Sequence, residues 1–194
     1  PPHFFDKDTL GNHVLVRDAK DGEEVVTLDG NERILKTSDI VITDGDKPVC
    51  IAGVMGGLNT EVTENTKTIL IEAAIFDATS IRYTAANLNL RSEASIRYGK
   101  GLSYEYTDKA IARACHLLEK YAGAKVLKGI VKHDVVDKGD KIVEFIPEDI
   151  NRMLGITISE KDMEVELHRL DFPYEIKDGK FIEKSTFLNK DYIL

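Results

Sequence analysis

Apolar and polar positions set two different rhythms along the chain. Up to about residue 75 the apolar residues fall in short runs separated by Gly and Asp-Gly pairs, the pattern of a meander of short strands. Residues 13–17 and 24–28 alternate and predict a hairpin around Asp21-Gly22. Asp29-Gly30 turns the chain again, and Ile34-Leu35 marks a short third strand. Residues 40–43 and 48–52 predict a further hairpin about Asp44-Gly45-Asp46, and 68–73 reads as the next strand. The opening P-P-H-F-F-D, residues 1–6, is expected to be an extended end without a partner.

Beyond residue 76 the spacing becomes helical. Asp77 is a predicted N-cap for a helix through about Asn87, with Ile81, Ala85 and Leu88 on one side. A second helix is predicted from about Tyr104 to Tyr121, on the repeat of Ala110, Ile111, Ala114, Leu117, Leu118 and Tyr121, with Ser103 as cap and Gly123 as stop. Between these helices, residues 91–95 read as extended, which puts Ser92 and Ala94 on one face. Residues 126–132 look strand-like, and the charged stretch 134–141 reads as a domain boundary. The remainder gives a strand at 142–146, a short helix from Pro147 to Gly155, and a helix from the Ser159 cap to Leu170. A hairpin, 172–176 and 181–183, then turns at Asp178-Gly179. Strand, helix, helix, hairpin is the outline of a small winged-helix-like module.

Chemistry concentrates between Val49 and Ser95. V-C-I-A-G-V-M-G-G runs a strand into Gly53, Gly56 and Gly57, where backbone can turn or approach a ligand closely. T-I-L-I-E-A-A-I-F-D then carries a single acid, Glu72, within an apolar run. Such a carboxylate either faces solvent or is kept for chemistry. From Ala78 to Tyr104 the bases Arg82, Arg91, Arg97 and Lys100 stand against Glu93 alone, a candidate phosphate-facing surface or an ordinary solvated helix face.

Composition narrows the alternatives. The 194 residues are 42% hydrophobic and carry a net charge of −8, which argues against a general nucleic-acid coat protein but leaves room for a local basic patch. Nothing is long and apolar enough to cross a bilayer. The chain starts at Pro1-Pro2 and reads as a piece of something longer. Cys50 and Cys115 are expected to be small core residues in a reducing compartment. The five histidines have no ligand spacing, so a structural zinc is not expected, and there is no P-loop, nucleophile elbow or dinucleotide fingerprint.

The set G-V-M-G-G, T-I-L-I-E-A-A-I-F-D and S-I-R-Y-T-A-A-N-L-N-L-R-S-E-A-S-I-R-Y resembles the B3/B4 region of bacterial phenylalanyl-tRNA synthetase beta subunits. The later I-N-R-M-L-G-I-T-I-S and D-M-E-V-E-L-H-R-L-D-F resemble the start of that subunit's B5 domain. The match runs from His3 to about Phe172. It implies an α+β fold: a strand-rich B3/B4-type domain at 1–133, truncated at its start, and an incomplete winged-helix-like B5 module at 141–194.

The resemblance also implies a function. A pocket built for phenylalanine rejects tyrosine only about a hundredfold, so a hydrolytic editing site is the usual remedy. The B3/B4 domain of the family is that site and clears tyrosine from mischarged tRNA(Phe). By motif, Glu72 and Gly56 match the positions that recognise the tyrosine hydroxyl. Ser92 and Ala94 match the pocket wall, and His3 matches a histidine at the site's edge. Expected partners are tRNA(Phe) and the alpha subunit of an alpha2beta2 enzyme, which is cytoplasmic. The fragment needs no cofactor, whereas the whole enzyme uses ATP and magnesium. Two departures stand out. Gly99-Lys100-Gly101-Leu102-Ser103 replaces an acidic family segment, and Asp191 is too loosely matched to be assigned as a metal ligand. Alternatives are a non-catalytic, tRNA-docking fragment or nucleic-acid binding through the B5-like part.

Overall fold

Burial on both faces explains why the central strands are apolar without interruption. In the computed structural model, which describes residues 1–136 and 141–185, β5 (Ile40–Thr43) and β6 (Pro48–Ile51) pair antiparallel, with Val41 opposite Ile51 and Ile42 opposite Cys50. Alternation sends the first pair to one face and the second to the other. Val41 and Ile51 enter a core with Val25, Leu35, Val54, Ile81, Leu90 and Tyr98. Ile42 and Cys50 enter a second core with Phe5, Leu10 and Val49. The full sheet runs β2 (Leu15–Asp18), β5, β6, β7 (Met55–Gly56), and every neighbour is antiparallel.

The hairpin about Asp44–Asp46 forms as expected, but the one about Asp21-Gly22 does not. β2 pairs with β5, and β3 (Glu24–Val26) pairs with β4 (Glu32–Ile34). The second turn wins because it satisfies its own polar groups. Thr27 N–H donates to the Asn31 carbonyl, the Thr27 hydroxyl donates to Asp29, and Arg33 pairs with Asp29 at 2.6 Å. Residues 1–6 are no loose end either. His3–Asp6 forms β1 and pairs with β8 (Ile69–Glu72), with Phe5 wholly buried in the second core. The strand is short and its partner lies more than 60 residues away, so local pattern could not show it.

Helix α1 (Ala78–Asn87) starts at Asp77, whose carboxylate accepts from Ser80 N–H at 2.8 Å, and it buries Ile81 and Thr84. Residues 91–95 are not extended. Ser92 is the N-cap of α2 (Glu93–Tyr98), its hydroxyl accepting from Ser95 N–H while Ser95 bonds back to Ser92 N–H. Two serines three apart compose this cap, and it overrides the alternation. Helix α3 (Glu105–Ala122) ends at left-handed Gly123 as expected. Residues 126–132 form no strand, and Val131 is fully exposed.

The chain divides into units Pro1–Gly129 and Ile130–Leu194. In the second, β9 (Lys141–Phe145), α4 (Pro147–Leu154), α5 (Glu160–Arg169), β10 (Tyr174–Lys177) and β11 (Lys180–Ser185) follow the expected order. The sheet is β10-β11-β9, closed over Phe181, which stacks on Phe145 at 5.1 Å. Positive φ at Asp178 and Gly179 makes the tight hairpin turn that the Asp-Gly pair predicted. Strand-rich sheets and helices together give the α+β class. Asp191 lies outside the described residues.

Candidate functional site

The β1/β8 ribbon brings together residues that the sequence keeps far apart. His3 sits directly opposite Glu72, so their side chains share one face of the ribbon. Phe5 and Leu70, the next pair on that face, pack into the core that holds Cys50. Cys50 is itself the partner of Gly56 across β6/β7. The His3 imidazole lies close against the Gly56 backbone. A Cβ built there would come within 2.7 Å of His3 Nε2 and 3.1 Å of Leu28 Cδ1. Only glycine permits that approach. The edge of His3 meets the Phe5 ring at 4.5 Å, which fixes the imidazole in place.

Glu72 is half-buried, and among the described residues none hydrogen-bonds its carboxylate. Burial pushes its pKa up to about 7. Burial also holds the His3 pKa below the usual histidine value, so the ring is neutral near pH 7. A neutral imidazole and a carboxyl near its midpoint thus stand on one face of the ribbon, the imidazole beside a glycine turn. Polar groups of this kind usually have partners. A half-buried carboxylate with no hydrogen-bond partner among the described residues is a ready acceptor for a hydroxyl donor. A cavity of about 280 Å³ adjoins the cluster, lined by His3, Phe4, Leu28, Gly57, Thr60, Glu61 and Val62.

Ser92 and Ala94 approach from α2. The Ser92 hydroxyl donates to the Val54 carbonyl, tying the helix start to the glycine turn, and accepts from Ser95 N–H at 3.0 Å. Ala94 packs against the core that contains Val54 and Tyr98. The four bases are all exposed. Arg82, however, donates to the Gly99 carbonyl at 2.7 Å and to Thr79, joining α1 to the end of α2, and Arg97 pairs loosely with Glu93 at 3.7 Å. Among the described residues, no group of three His, Cys, Asp or Glu side chains is arranged to hold a metal ion.

A family model described as "B3/4 domain" matches residues 1–123. The chain belongs to the B3/4 domain family. It is 46% identical over 192 residues to the "Phenylalanine--tRNA ligase beta subunit" of Staphylococcus aureus strain bovine RF122 / ET3-1, covering 98% of this chain and 24% of that protein. The strain MRSA252 subunit gives the same identity and coverage. The resemblance expected from the motifs is thereby borne out, and the chain spans about a quarter of the length of these relatives. A solved N-terminal fragment of the phenylalanyl-tRNA synthetase beta subunit from Pyrococcus horikoshii aligns over 100% of this chain and 55% of its own, at 15% identity and a TM-score of 0.43.

Within this B3/4 domain, sequence reasoning missed one residue that touches the site's framework. Tyr98 is almost fully buried, and its hydroxyl reaches the Ala74 carbonyl at 3.1 Å and the Pro1 carbonyl at 3.0 Å. In the sequence it lies in a stretch for which no helix is predicted. Only the helix start at Ser92, hidden by the apparent alternation, would have aimed it at the ribbon.

Proposed function

We propose that this B3/4 domain hydrolyses the ester of tyrosine mischarged onto tRNA(Phe), as the editing site of a phenylalanine–tRNA ligase beta subunit. The observation that carries this reading is the Glu72 carboxylate, half-buried, without a hydrogen-bond partner among the described residues and opposite His3. A tyrosine phenol would donate to that carboxylate. Phenylalanine would leave it desolvated and unpaired, at a cost of about 1–3 kcal/mol. That difference is the discrimination an amino-acid pocket selecting phenylalanine lacks.

The chemistry asks little of the protein. A water oxygen attacks the aminoacyl carbonyl carbon, the bond to the ribose oxygen breaks, and the proton passes to that oxygen, releasing tyrosine and tRNA(Phe). An activated ester needs a positioned water more than a nucleophile. Neutral His3 offers an acceptor to such a water. The catalytic alpha subunit, tRNA(Phe) as substrate, a cytoplasmic setting, and ATP and magnesium used elsewhere in the enzyme belong to the same proposal. The test is deacylation of Tyr-tRNA(Phe) by the alpha/beta enzyme with Glu72→Gln. Clearance should fall while phenylalanine charging is retained. A variant that clears Tyr-tRNA(Phe) at the parental rate overturns the reading.

A further inference from the structure

The ribbon that carries Glu72 and His3 has a gap in its ladder one step beyond them. Lys7 N–H donates to the Thr68 carbonyl at 2.9 Å. In an antiparallel pair every second opposed pair from there is a bonding one: Phe5 with Leu70 and then His3 with Glu72, where the paired strands end. Continued one step, that register would set Pro1 against Ala74, and a proline within a chain has no amide N–H to give the Ala74 carbonyl. The Tyr98 hydroxyl stands in that place, its one hydrogen shared between Ala74 at 3.1 Å and Pro1 at 3.0 Å.

We propose that Tyr98 is a positioning residue for the editing site, its phenol closing the end of the β1/β8 ribbon where proline cannot and so holding Glu72 and His3 on one face. The proposal rests on the editing reading above. Its geometry is firm on the helix side. Tyr98 packs on Phe76 at 5.2 Å between ring centres, and the Gly53 backbone lies against its ring. Burial, with the Glu72 and Cys50 charges behind it, raises the Tyr98 pKa, so the phenol stays a donor throughout the working range. Without that donor, a two-stranded ribbon frays from its open end. The first pair to go is His3 with Glu72.

The groups facing Glu72 are His3 from β1, Cys50 from β6 and Tyr98 from α2. Removing the Tyr98 hydroxyl takes no charged group out of this set near pH 7.

The experiment uses the full alpha/beta enzyme with Tyr98→Phe, Tyr98→Phe/Pro1→Ala and Glu72→Gln, each assayed on Tyr-tRNA(Phe) from pH 5.5 to 8.5. Tyr98→Phe should lower kcat/KM about tenfold, mainly through KM. It should also move the apparent pKa near 7 down toward the ordinary carboxylate value, because a frayed ribbon hydrates Glu72. The double variant restores an amide donor for Ala74 and should recover most of the rate and the parental pH profile. If Glu72→Gln clears Tyr-tRNA(Phe) normally, the editing reading itself falls. If Glu72→Gln is impaired while Tyr98→Phe keeps the parental rate and profile, only the Tyr98 assignment falls. Should Tyr98→Phe alone fail to fold, the double variant decides. A folded, active double variant supports the assignment, and one that is unfolded or inactive overturns it.

Discussion

Gly56→Ala is the sharpest structural test of the cluster, because a single methyl would meet the residue across from Glu72. The added carbon would lie within 2.7 Å of His3 Nε2, closer still to Cε1, and 3.1 Å from Leu28 Cδ1. Leu28 sits at the surface and its methyl can rotate away. The imidazole has no such freedom. Its backbone is held by pairing to β8, and its edge is held by Phe5 at 4.5 Å. Overpacking of this kind costs about 1–3 kcal/mol, and two close contacts on a fixed ring place the expected loss near 2 kcal/mol. Thermal melting reads that loss, and Tyr-tRNA(Phe) clearance should drop with it as His3 is pushed off the turn. Adding His3→Ala removes the clashing ring, so the double variant should regain most of the lost stability but not the clearance. A Gly56→Ala protein that melts like the parent, or a double variant that shows no recovery, would refute the packing argument.

The protonation of Glu72 makes stability depend on pH. The folded carboxyl holds its proton up to about 7, whereas an unfolded glutamate releases it near 4.5, so between those values the folded state binds more protons and stability falls as pH rises. The full shift corresponds to about 3 kcal/mol, or about 2 once solvent screening of a partly accessible side chain is allowed for. His3 works the other way, since its lowered pKa adds stability as pH rises toward 6.5. Glu72→Gln should therefore flatten the fall in melting temperature between pH 5 and pH 7.5, and an unchanged slope would show the carboxyl to be solvated. Ser92→Ala removes the α2 cap and the tie to Val54 together, for an expected loss of about 1–2 kcal/mol, whereas Ser92→Thr should keep both. Equal melting of the alanine and threonine variants would leave Ser92 outside the frame of the turn.

What the sequence made legible was local. Asp44–Asp46, Asp77, Gly123, Pro147, Gly155 and Asp178-Gly179 each act through their own backbone or their nearest amides, and all turn or cap where expected. The errors share a physical cause. At Asp21-Gly22 a turn-forming pair was present, but the Thr27–Asp29–Arg33 bonds gave the competing turn more to satisfy it. At 91–95 an apparent strand alternation was overruled by two serines bonding to each other's amides. At 1–6 the deciding partner lay on β8, beyond the reach of any window of sequence. The site residues came from motifs rather than periodicity. The structure adds that His3 packs against Gly56 and stands opposite Glu72 across the ribbon, while Ser92 and Ala94 belong to a helix tied to the glycine turn at Val54.

This arrangement couples function to folding through β1. The strand is four residues long, yet it supplies both Phe5, with no exposed surface, and His3. Alternation puts both on the same face, so whatever seats Phe5 in the core also presents His3 to Gly56 and Glu72. Burial of one Phe side chain is worth about 1.5–3 kcal/mol, which anchors the middle of a short ribbon that backbone bonds alone would leave marginal. The core thus orients the polar pair, and the polar pair adds little to the core. Substituting His3 can therefore separate activity from stability, because Phe5 still anchors the strand. Substituting Phe5 cannot, since Glu72 and His3 lose their common face at the same step.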